Sequence, residues 1–84
     1  MKVDPELEQT WQRAPQEDVA VIIHVQGEPA LYITDIEALD LAVVRVFRLT
    51  NTLAVCGPAF RVLQLVDRPW VYKIESDRQI TTQR

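Results

Sequence analysis

The chain of 84 residues predicts an α+β domain: a four-stranded antiparallel sheet with two helices on one face, in the ferredoxin-like order βαββαβ, behind a short N-terminal helical segment. Three observations carry that expectation. Asp18 to Gln26 alternates in the period of two that a half-buried strand requires. Leu41 to Asp77 reads as strand, tight turn, strand, amphipathic helix and strand, with a turn or helix signal at each boundary. Right-handed crossovers then place both helices on the same side of the sheet.

Taken in order, Asp4 can cap a helix, Pro5 fits its first turn, and Glu6 and Glu8 suit the positive end of the macrodipole. Val3, Leu7, Trp11 and Ala14 share one face, so a short helix should lie against the domain, followed by the linker Ala14 to Glu17. In the first strand Val19, Val21, Ile23 and Val25 are assigned to the core, and Ala20, Ile22, His24 and Gln26 to the opposite face. Gly27-Glu28-Pro29 breaks that strand and opens a helix over Ala30 to Leu39, with Ile33, Ile36 and Leu39 inward and Tyr32 at the margin. Leu41 to Phe47 is valine-rich and reads as a strand. Its orientation stays open, because Val43, Arg45 and Phe47 oppose Val44, Val46 and Arg48 and each set holds an arginine. Thr50-Asn51 makes the turn, and Thr52 to Cys56 is the next strand. Gly57-Pro58 ends it and starts a helix whose Ala59, Val62, Leu63 and Val66 recur on one face. Arg68-Pro69 closes the helix, and Trp70 to Glu75 alternates as the last strand.

Composition narrows the function. A net charge of -3 and a pI near 5.0 argue against a nucleic-acid partner, which needs clustered Lys and Arg to release counterions. The single Cys56 forms no internal disulfide and no CxxC pair, and it reads as a small apolar residue of the sheet. No apolar run is long enough to span a bilayer, and the N-terminus has no hydrophobic signal core. The expectation is therefore a cytoplasmic protein with no membrane partner, or a secreted one if the chain is cut from a longer precursor.

The same topology limits the site chemistry. An RNA-recognition sheet needs aromatics on its central strands, and Thr52 to Cys56 has none. His24-Val25-Gln26-Gly27 has the look of an acylphosphatase phosphate loop, but Glu28 stands where an arginine is needed and repels phosphate. His24 is the sole histidine and has no companion for a metal, so it reads as a sheet-face residue, and no cofactor is expected. Glu75 and Asp77 form no argued acid/base pair, and the chain is not read as an enzyme. The face opposite the helices should carry Ala20, Ile22 and His24 with Ala54 and Cys56, small and apolar rather than charged, and an open apolar face of this kind usually has a partner.

From Val19 to Asp77 the chain resembles the propeptide domains of subtilisin-like serine proteases and their stand-alone inhibitor relatives. The resemblance rests on the strand ending in Gly27, on Phe47-Arg48-Leu49, on the small-residue strand Asn51 to Cys56, and on the helix Pro58 to Asp67. It rests above all on the closing block Pro69, Val71, Ile74, Glu75 and Asp77, followed by an extended tail. It implies a protease inhibitor or intramolecular chaperone whose open face packs on two surface helices of a subtilisin-like protease. Glu75 and Asp77 would cap those helices, where unpaired N–H groups favour carboxylates. Ile80, Thr81, Thr82, Gln83 and Arg84 would enter the active-site cleft as a substrate-like strand. The domain organisation expected is an N-terminal extension and linker over 1–17, a propeptide-like domain over 18–77 and a tail over 78–84. The alternative is a homodimer or larger homo-oligomer that buries the same face against itself, and a regulatory domain of the same topology lacks a visible polar pocket.

Overall fold

A computed structural model of the chain describes residues 3–77. Helix α1 spans Pro5–Arg13, strand β1 Asp18–Val25, helix α2 Ile33–Glu37, strand β2 Ala42–Phe47, strand β3 Thr52–Pro58, helix α3 Ala59–Leu65 and strand β4 Val71–Ser76. The strands form one antiparallel sheet in the order β2-β3-β1-β4, the arrangement expected of the ferredoxin-like fold. The tail and its site residues Ile80 to Arg84 lie outside the described residues.

The core follows from the alternation of β1. Val21, Ile23 and Val25 are fully buried and meet Leu53 and Val55 of β3, Val71 and Ile74 of β4, Ile36 of α2, and Ala59, Val62 and Leu65 of α3. Each large side chain so buried stabilises the fold by roughly 1.5–3 kcal/mol relative to exposure. Val3 and Trp11 belong to the same cluster, so α1 joins the helical layer, packs beside α3, and does not lie across the open face. Asp4 caps α1 as its sequence suggests, its Oδ1 accepting the Glu6 N–H at 3.0 Å.

The edge strands depart from simple alternation, and both do so by a bulge. In β2, Val43 pairs with Val55 while Arg45 pairs with Ala54, leaving Val44 as the extra residue. Val43 and Val46 can then both face the core, with Arg45 and Phe47 on the open side, which settles the strand's orientation in a way neither parity allowed. In β4, Lys73 opposes His24 and Val71 opposes Val25, so Tyr72 is the extra residue. The expected alternation over Trp70 to Glu75 gives way to Val71 and Ile74 buried three apart.

Helical boundaries are tighter than expected. The Ala30 to Leu39 region opens with a 3₁₀ turn, Pro29–Tyr32, and only Ile33–Glu37 is α-helical. Its end tightens as Leu39 and Asp40 donate to the carbonyls of Ile36 and Glu37, three residues back, and Asp40 then turns left-handed at φ 63° to reverse the chain into β2. Helix α3 has no side-chain cap. Its first free donors are met by the linker instead, Ala59 N–H donating to the Glu17 carbonyl and Phe60 N–H to the Pro15 carbonyl, both at 2.9 Å. Leu65 is buried where Leu63 and Val66 are only partly so.

Candidate functional site

The open face is built by three rows that cross the sheet in register. The first runs Phe47, Thr52, His24 and Lys73; the second Arg45, Ala54, Ile22 and Glu75; the third Ala42, Cys56 and Ala20. Asp77 extends the third row, its N–H donating to the Ala20 carbonyl at 2.9 Å. The residues singled out on β1, β3 and β4 therefore do come together. Ile22, His24, Cys56 and Ala20 are half-buried, and Ala54, flanked in register by Arg45 and Ile22, is buried.

This face is not uniformly small and apolar. The central strands add His24 and Thr52 to Ala20, Ile22, Ala54 and Cys56, and the edge strands bring Arg45, Phe47, Tyr72, Lys73 and Glu75, none of which alternation alone could assign to it, because each lies at or beyond a bulge. Phe47 stays 37% exposed and Tyr72 49% exposed, which keeps apolar surface in contact with water at two corners. The one signal in the sequence was the spacing of Val43 and Val46, and of Val71 and Ile74, by three rather than two.

The charged corner has defined geometry. His24 Nε2 lies 2.6 Å from Glu75 Oε2, a diagonal pair across β1 and β4, and Lys73 Nζ lies 3.5 Å from the same oxygen. The His24 ring also sits tilted against Tyr72, with centroids 5.8 Å apart. The hydrogen bond with His24 is the main cause that holds the Glu75 carboxyl below its ordinary value of 4.5; desolvation opposes it, and the positive charge of Lys73 adds a lesser lowering. Glu75 is thus an ionised acceptor whose two contacts fall on one oxygen.

At the far end, Tyr32 and Trp70 stack at 4.2 Å between centroids, and the Tyr32 hydroxyl donates to the Gln26 carbonyl at 2.8 Å. Gly27 turns at φ 85° beside them, and Gln26 N–H donates to the Trp70 carbonyl at 3.0 Å. These contacts pin the β1–α2 loop to the start of β4 and leave the open face to the strands. Among the described residues no group of three His, Cys, Asp or Glu side chains is placed to hold a metal, Cys56 is a free thiol, and no helix is long and apolar enough to cross a membrane. No protein-family model matches the chain, and no curated protein matches it.

Proposed function

We propose that this chain is a non-enzymatic protein-binding domain that docks on a folded partner through its open sheet face. Its mode would be that of a subtilisin-like protease propeptide acting as inhibitor or intramolecular chaperone. The observation that carries the reading is a face that no element of the described residues covers: Ile22 and Phe47 offer apolar surface beside the ionised Glu75, while α1 packs among the helices on the other side. In this mode Glu75 Oε1, which has no contact among the described residues, accepts from the N-terminal N–H groups of a partner helix, and Oε2 stays with His24 and Lys73. Asp77 acts beside it, and Ile80 to Arg84 supply the substrate-like segment.

One feature favours a second reading. Arg45 and Glu75 end the same cross-sheet row, so two copies stacked face to face about a two-fold axis along the strands would set each Arg45 opposite the other copy's Glu75. The test is inhibition of a panel of subtilisin-like proteases by the full chain and by a chain ending at Asp77, with sedimentation of both. Tail-dependent inhibition by a monomer supports the inhibitor. No inhibition, with a dimer that Arg45→Glu dissociates and Arg45→Glu with Glu75→Arg restores, supports the homodimer.

A further inference from the structure

Between α1 and the neighbouring ends of β1, β3 and β4 lies a groove of about 480 Å³. Among the described residues its apolar lining comes from Leu7 and Trp11 of α1 and Val19 and Ala20 of β1, its charged lining is Glu17, Asp18 and Asp77, and no Lys, Arg or His lines it. Among the described residues neither Glu17 nor Asp18 has an ion-pair partner. The groove is held open by backbone, since the linker carbonyls of Pro15 and Glu17 are fastened to the first turn of α3 and Trp11 is anchored in the core. It shares Ala20 and Cys56 with the open face, so a polypeptide lying on that face reaches it without a break.

We infer that this groove is a docking site for a partner segment carrying an aromatic or large aliphatic residue next to an arginine. The apolar side chain seats between Leu7, Trp11 and Val19, and the guanidinium pairs with the carboxylates of Glu17 and Asp18. Arginine suits the site better than lysine because its planar fork can engage two carboxylates at once and loses less hydration on contact with apolar walls. The volume lies within the range of sites that seat a single ligand group or two. The assignment goes beyond the docking face proposed above, and it stands or falls separately.

Cys56 is the chain's one cysteine and lines this groove, so its thiol is a built-in reporter. The experiment follows the rate of Cys56 modification by a thiol reagent, and the amide shifts of the ¹⁵N-labelled full chain, with acetyl-Phe-Arg-amide and acetyl-Phe-Glu-amide at equal millimolar concentrations. The arginine peptide should slow Cys56 modification and shift Val19, Ala20 and the Trp11 indole N–H, while the glutamate peptide does neither. The Glu17→Gln/Asp18→Asn double variant, altered at exposed side chains, should bind the arginine peptide at least about tenfold more weakly, since the loss of even one of its two charge-assisted contacts implies that factor. No protection by either peptide, equal protection by both, or shifts confined to other surfaces would overturn the assignment. Protease inhibition by a chain that fails this peptide test would leave the inhibitor reading standing and end this one. Peptide binding without inhibition would do the reverse.

Discussion

The two faces of β1 are made by alternate residues of one strand and do different work. Val21, Ile23 and Val25 are sealed under the helical layer, whereas Ala20, Ile22 and His24 remain half-buried with no element of the described residues packed over them. Ile22 and Ile23 are neighbours of the same type, and only the pleat separates their roles. Stability resides on one side, and the other, which the proposed function gives to a partner, is the side where sequence can change at small cost to folding.

That contrast can be broken or sharpened by measurement. The largest effect is expected from Trp11→Ala, at roughly 3–5 kcal/mol in urea unfolding, because the ring sits in the main core. A cost under about 1 kcal/mol would instead make α1 an accessory to the domain. Ile23→Ala should cost about 2–5 kcal/mol and lower the melting temperature by well over ~8 °C in a domain this small. Gly57→Ala follows at about 1–3 kcal/mol, since the added Cβ would fall 2.5 Å from Cδ2 of the buried Leu41. Ile22→Ala, one residue from Ile23, should cost less than about 1.5 kcal/mol while weakening partner binding. Equal costs for Ile22→Ala and Ile23→Ala would abolish the distinction between the faces.

The smallest effect is electrostatic. Because the Glu75 carboxyl titrates below 4.5 in the folded chain, its contribution is fully present above that value and is lost as pH falls through the lowered folded value. The wild type should therefore show a slight extra loss of stability on acidification below about 4.5 that Glu75→Gln lacks. The exposed position of the pair keeps the difference small, and added salt should shrink it further.

Much of this architecture was legible because local chemistry and global fold agree. The caps Asp4 and Pro5, the alternation of β1 and the Thr50-Asn51 turn each have one sensible reading, and Asn51 does take the left-handed conformation at φ 55°. The Gly57-Pro58 junction falls later than expected: both residues still pair with β1, Pro58 keeps extended backbone, and the helix starts at Ala59. The edge strands were not legible in the same way. A bulge changes which residues face inward halfway along a strand, so any single parity misplaces half of β2. The His24 and Glu75 contact was hidden for another reason: the residues are 51 apart in sequence, and only the β1–β4 register makes them diagonal neighbours. Short helices were overestimated because their ends tighten into 3₁₀ turns that hydrophobic spacing does not distinguish from α.

The fastening of residues 15 and 17 to the first turn of α3, together with the bridge from Val3 to Ile74, bears on the order of assembly. Val3 pairs with a residue near the other end of the described chain, so its contact closes the widest loop in the fold and carries the greatest chain-closure entropy. Loop-closure entropy therefore predicts that the Val3 segment is seated late, after β4 has joined the sheet. The amides of Ala59 and Phe60, whose acceptors lie in that segment, should exchange with solvent as soon as it lifts, before the strands separate.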